Sequence, residues 1–171
     1  LKLKKEKIKV IYNPTVSKEL IRKSNELIKS DHSYFFKKPT IISIGRLEDV
    51  KGYDLLIKAF SIVLKEIDAS LIIIGEGSLR KNLINLSKKL KVNKSIWLPG
   101  IISNPYPYLK KADVFVLSSR QEGLPNVLIE AIALGKTVIS TNCRYGPSEI
   151  IGNNKWGYLI EEENPVEMAL N

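Results

Sequence analysis

The apolar pattern of this chain changes rhythm at Thr40. Before it the signal is weak. Lys7–Tyr12 alternates and reads as a short strand, and Asn13-Pro14 breaks it. Ser17–Lys29 places apolar residues at Leu20, Ile21, Leu27 and Ile28 and reads as a helical or irregular linker. Ser30–Pro39 is polar and aromatic with no clear period, and its His32 reads as a surface residue. After Thr40, short unbroken apolar runs alternate with stretches of helical period. The pattern predicts strands over 41–44, 70–74, 95–98, 113–117, 136–140 and 157–160. It predicts helices over 53–65, 78–90, 105–111, 124–134 and 147–151, and one more beginning near Pro165. Pro99-Gly100 is expected to stop the third of these strands. Trp97 and Trp156 are expected in the core rather than as stacking platforms.

Strands that are apolar throughout are covered on both faces, and their alternation with helices implies a parallel sheet. Right-handed crossovers then give an α/β, doubly wound, Rossmann-like domain. In such a domain ligands bind beyond the carboxyl ends of the strands. The loops expected there are Gly45–Lys51, Gly75–Gly77, Gly100–Asn104, Ser118–Gly123 and Thr141–Pro147.

Composition narrows the classes. The chain has 171 residues, 44% hydrophobic and 26% charged, which suits one globular domain with a sizeable core. No apolar run approaches the roughly 20 residues of a membrane-spanning helix. The first residues form no apolar signal region and include no initiator Met, so the chain is expected to be part of a longer protein. With one cysteine, Cys143, no internal disulfide forms, and the cytoplasm is the expected compartment. The net charge of +9 is uneven: residues 1–38 hold 11 Lys and Arg against four acidic residues. That excess reads first as a solvated lysine-rich surface and second as peripheral contact with an anionic membrane, at its inner face. Nucleic acid is not expected, because the cations come with no interleaved stacking aromatics and no recognition motif.

The most informative stretch is Ser118–Glu130. It leaves an apolar strand and enters a helix, with Gly123 and Pro125 placed where a strand-to-helix turn accepts them. Glu122 lies in the turn and Glu130 inside the helix, their backbones at most ~12 Å apart along the axis. That is about the span of a sugar–diphosphate–ribose. The helix N-terminus between them offers unpaired N–H groups and partial positive charge to a diphosphate. A second loop, Gly45–Gly52, carries Arg46 and Lys51, which could neutralise the same phosphates.

Other motifs are weaker. Gly75-Glu76-Gly77 follows a strand and opens a helix, but position 80 is Arg where a dinucleotide fingerprint needs a third glycine, so a tight turn near a ligand is the better reading. No P-loop is present, and one His with one Cys makes no zinc site. Cys143 reads as a small loop residue, without a histidine in its part of the chain to activate it.

Taken in order, these motifs resemble the C-terminal, donor-binding domain of a GT-B glycosyltransferase of the retaining family four, glycosyl transferases group 1. The residues carrying the resemblance are Gly-Arg-Leu and Lys-Gly at 45–52, Gly-Glu-Gly at 75–77 and Leu-Pro-Gly at 98–100. They continue with the long motif from Ala112 to Glu130 and Gly-Pro-Ser-Glu-Ile-Ile at 146–151. The resemblance covers about residues 40–160. It implies a divided chain: a basic linker and interdomain strand over 1–39, a donor-binding domain over 40–160, and a cut C-terminal tail over 161–171. It implies that Arg46 and Lys51 stabilise the leaving diphosphate, that Glu122 holds hydroxyls of the transferred sugar and that Glu130 holds the ribose. Gly123 and Leu124 would offer backbone N–H groups, and Gly45, Gly75 and Glu76 would lie near the donor. The expected ligand is a nucleotide-diphosphate sugar, with no metal and no further cofactor. The expected partner is an N-terminal acceptor domain outside these residues, in polysaccharide or lipid-linked glycan synthesis. A non-catalytic sugar-nucleotide-binding subunit, completed by a separate chain, is the alternative.

Overall fold

The computed structural model describes residues 11–152 and 154–171. Six parallel strands form one sheet: β1 (Thr40–Ile44), β2 (Ser70–Ile74), β3 (Ile96–Gly100), β4 (Val114–Leu117), β5 (Thr137–Thr141) and β6 (Tyr158–Ile160), in the order β3-β2-β1-β4-β5-β6. The helices are α1 (Lys18–Ser24), α2 (Tyr53–Val63), α3 (Arg80–Lys89), α4 (Tyr106–Lys111), α5 (Asn126–Ala133), α6 (Pro147–Ile151) and α7 (Pro165–Leu170). Reversal of strand order beside β1 makes this the doubly wound α/β arrangement expected from the sequence.

The continuous apolar strands are explained by two cores, one on each face. On β2, Leu71 and Ile73 join the core beneath α2, α3 and α7, whereas Ile72 and Ile74 join the one beneath α4, α5 and α6. On β4, Val116 faces the first core and Phe115 and Leu117 the second. A residue of either parity is therefore buried, and alternation disappears from the sequence.

Several expectations need correction. β3 runs through Pro99 and Gly100 instead of stopping before them. It is an edge strand, where the missing proline N–H costs no ladder bond. The strand expected over Lys7–Tyr12 falls mostly outside the described residues, and Ile11 and Tyr12 are not in a strand. The segment without period, Ser30–Phe36, is a 3₁₀ helix held by aromatic contact: Phe35 stacks on Trp97 with centroids 5.2 Å apart and planes 8° from parallel. His32 belongs to the same cluster, with Nδ1 2.7 Å from the Tyr108 hydroxyl, so it is half-buried rather than a free surface residue. Trp156, expected in the core, is 55% exposed.

Candidate active site

All five loops singled out in the sequence follow the carboxyl ends of β1 to β5 and share one edge of the sheet. Two of them meet directly. The Lys51 ammonium lies 2.6 Å from Glu122 Oε1, joining residues 71 positions apart. The pair is largely enclosed, with Lys51 20% and Glu122 9% exposed at the side chain. The Ser119 hydroxyl donates to the same carboxylate oxygen at 2.7 Å, and the Ser118 hydroxyl donates to the Lys51 carbonyl at 2.8 Å. Held this way, the ammonium and the carboxylate are fixed before any ligand arrives.

The Gly45–Gly52 loop also packs on the turn after β2. Gly45 N–H donates to Ile74 O at 3.0 Å and Leu47 N–H to Glu76 O at 2.8 Å. Glu48 accepts from the Ser78 N–H at 3.0 Å and its hydroxyl at 2.8 Å, and these bonds, the backbone one first, hold its carboxyl below the ordinary range. A Cβ on Gly75, whose φ is +148°, would come within 1.9 Å of Gly45 O, and one on Gly77 within 2.5 Å of Leu47 O. Gly75-x-Gly77 is thus required by the approach of two backbones, which accounts for a Gly-x-Gly outside any dinucleotide fingerprint.

Arg46 is exposed, and its side chain makes no hydrogen bond or ion pair among the described residues. It lines a hollow of about 280 Å³ with Gly45, Gly75, Glu76, Ile101 and Pro105. Ile101 is 78% exposed there, an apolar side chain left at the rim of a shallow apolar surface. Glu76 is drawn aside to Arg80, 3.0 Å away. Arg46 follows Gly45 in the chain, and the Lys51 stem packs against Gly45.

The helix expected from Leu124 begins at Asn126, with Pro125 just before it at ψ 93°. Leu124 and Pro125 complete the turn, and Glu130 is the fifth residue of α5. The first N–H groups of α5 have no partner inside the helix, as at any helix start. Glu130 receives a hydrogen bond of 3.2 Å from the Tyr106 hydroxyl. Burial pushes the Glu130 carboxyl above its ordinary pKa, and the Tyr106 bond offsets part of that rise. Tyr106 was not among the residues singled out in the sequence. Its only signal there was its position just after the loop that ends at Asn104-Pro105.

Gly123 differs from what its turn suggested. Its φ is not positive, and an added Cβ would meet nothing within 4 Å. The fold itself does not require glycine at this position. Cys143 is buried, and burial first, then the nearby Glu122 and Glu162 charges, push its thiol pKa up, which keeps it unreactive. Among the described residues, no three His, Cys, Asp or Glu side chains converge as a metal-ligand set.

The sequence pattern described as Glycosyl transferases group 1 matches residues 24–170. The chain belongs to this family. A protein of Methanocaldococcus jannaschii described as an uncharacterized glycosyltransferase is 40% identical over 149 residues, covering 86% of this chain and 37% of its own length. A Campylobacter jejuni N-acetylgalactosamine-N,N'-diacetylbacillosaminyl-diphospho-undecaprenol 4-alpha-N-acetylgalactosaminyltransferase is 34% identical over 95% of this chain and 42% of its own length. A mutant of Staphylococcus aureus TarM, solved with Fondaparinux, alpha-GlcNAc-glycerol and UDP, superposes with a TM-score of 0.74 at 31% identity. That match spans 80% of this chain and 28% of TarM. The fold is the Rossmann-like unit of GT-B glycosyltransferases. The chain spans less than half the length of each of these relatives.

Proposed function

We propose that these residues form the donor-binding half of a retaining glycosyltransferase that moves a sugar from a nucleotide-diphosphate sugar to an acceptor, in polysaccharide or lipid-linked glycan synthesis. The observation that carries this reading is the enclosed Lys51–Glu122 pair, built from two distant loops at the carboxyl edge of the sheet. A cation and a carboxylate fixed side by side suit a ligand that is anionic at one point and hydroxyl-bearing at the next.

In this reading the diphosphate lies across the start of α5, gripped by Lys51 and Arg46 and by backbone N–H groups of Gly123 and Leu124. Glu122 accepts hydroxyls of the transferred sugar. Glu130, steadied by Tyr106, accepts the ribose hydroxyls, and the base rests in the hollow beside Arg46, Gly75 and Ile101. The bond from the sugar C1 to the phosphate oxygen breaks, and the electron pair leaves with the nucleoside diphosphate. The acceptor oxygen bonds to C1 on the same face, and its proton passes to the departing phosphate oxygen. Cations already in place stabilise the charge growing on the diphosphate without reorganising. The UDP bound to TarM and the N-acetylhexosamine named for the Campylobacter relative support a UDP-linked N-acetylhexosamine donor. An acceptor domain outside these residues completes the cleft, consistent with relatives more than twice as long. Peripheral contact with the inner face of a membrane would suit a lipid-linked acceptor.

A thermal-shift screen of nucleotide sugars and nucleoside diphosphates tests this. UDP at 100 times its Kd should add about 2.7 kcal/mol to the stability of the native state. Lys51→Ala should cut that gain while leaving weaker UDP binding that calorimetry still reads, and Glu130→Gln should abolish it. If no nucleotide sugar and no nucleoside diphosphate raises the melting temperature, the donor site is wrongly assigned.

A further inference from the structure

Arg120 lies two residues before Glu122, and the proposed reaction leaves it without a task. Its guanidinium is nonetheless the most heavily engaged side chain at this edge. Nη1 donates to the Asp49 carbonyl at 2.8 Å, Nη2 to Asp54 Oδ2 at 3.1 Å, and Nε to Glu163 Oε1 at 2.6 Å. Its backbone N–H donates to Val50 O at 2.8 Å. Four groups from three separate segments thus converge on one residue, and two of those segments bracket Lys51. Burial alone would push the Asp54 carboxyl up, but its bonds to Arg120 and Lys58 bring it below the ordinary range.

Two backbone features show that this junction is tightly determined. Gly52 follows Lys51 at φ +60°, and a Cβ there would meet Ser118 O at 2.0 Å, so the Lys51 loop lies hard against the strand end. Glu163, which is not glycine, adopts φ +56°. A side chain in this region is uncommon and persists where its surroundings over-determine it. Here the carboxylate of Glu163 is tied to Arg120.

We propose that Arg120 is a positioning residue for the donor site: clamped by Asp54 and Glu163, it holds the Asp49–Lys51 turn so that the Lys51 ammonium meets Glu122. The segment from Glu161 to Asn164, remote from the ligand in the chain, thereby becomes part of the support of the phosphate-gripping lysine. The inference rests on the reading of Lys51 as a diphosphate ligand, but its structural half can be tested without any ligand.

The first readout is the rate at which an acetylating reagent modifies Lys51, followed by peptide mass spectrometry. Lys38, paired with Asp68 at the opposite end of β1, serves as the internal control. Arg120→Ala should speed acetylation of Lys51 several-fold and leave Lys38 unchanged, and Glu163→Gln should do the same to a smaller degree. Glu163→Gln removes one charge at a 57% exposed position and keeps the fold testable if Arg120→Ala does not fold. The second readout is UDP affinity by calorimetry. Arg120→Ala should weaken UDP binding about tenfold in the wild-type background and hardly at all in a Lys51→Ala background, because residues acting through one another are not additive. An unchanged Lys51 acetylation rate in both variants overturns the proposal. An equal loss of affinity in the two backgrounds also overturns it, since Arg120 would then act on the fold and not through Lys51. If wild-type protein binds no UDP, the donor-site reading fails, while the acetylation rates still decide the role of Arg120.

Discussion

At the residue scale, two side chains separate what the fold needs from what a ligand would need. Gly123 is exposed and has open space where a Cβ would go. Gly123→Ala should leave the free chain within about 0.5 kcal/mol of wild type in urea unfolding, yet it should weaken UDP binding at least tenfold. Equal affinity for the two proteins would remove Gly123 from the site. Glu130 shows the converse. Its native pKa is raised by burial above the value it has in the unfolded chain. Its contribution to stability is therefore fully present below the ordinary carboxylate range and is lost as pH rises through the native value. Glu130→Gln keeps an oxygen for the Tyr106 hydroxyl and removes the buried charge. The variant should melt at a higher temperature than wild type at pH 7, with the gain shrinking as pH falls through the raised native value towards the ordinary carboxylate range, and calorimetry should find no UDP binding. A variant that melts lower at pH 7 would mean that the ionised carboxylate stabilises the fold. A gain in stability together with a loss of UDP binding would support the proposed role of Glu130.

At the element scale, the site consists of joints between loops. The turn after β2 is locked to the Gly45–Gly52 loop by the Leu47–Glu76 backbone bond and by the Glu48–Ser78 pair. Gly75→Ala should push that joint apart, because its φ is positive and Gly45 O stands 1.9 Å from the new Cβ. Denaturant unfolding should show a loss of more than about 1 kcal/mol. A loss no larger than that of Gly123→Ala would argue that the joint yields without cost. The elements themselves were largely legible. β2 and α6 occupy the predicted spans, and most others differ by one or two residues at an end. Two of these shifts share a cause. α5 starts late because Leu124 and Pro125 are needed to turn from β4, and β3 passes through Pro99 because it has a free edge. Neither fact is local to the residues concerned.

At the scale of the whole molecule, the parallel order, the two cores and the functional edge follow from one another. A sheet buried on both faces places its loops at two ends, and the switch in strand order beside β1 opens one of those ends to a ligand. Motif order alone was enough to recognise the family, since Gly45, Arg46, Lys51, Glu122 and Glu130 occur at fixed places along a strand–helix rhythm. The sequence by itself determined the fold class and the identity of the candidate residues, because hydrophobic period and motif spacing are properties of the linear chain. Only the tertiary structure decided that Lys51 meets Glu122, that Tyr106 steadies Glu130, that Arg120 joins three segments, and that His32 and Phe35 settle on Trp97. Those contacts link residues tens of positions apart through short-range hydrogen bonds and packing, whose existence depends on where the backbones come to lie.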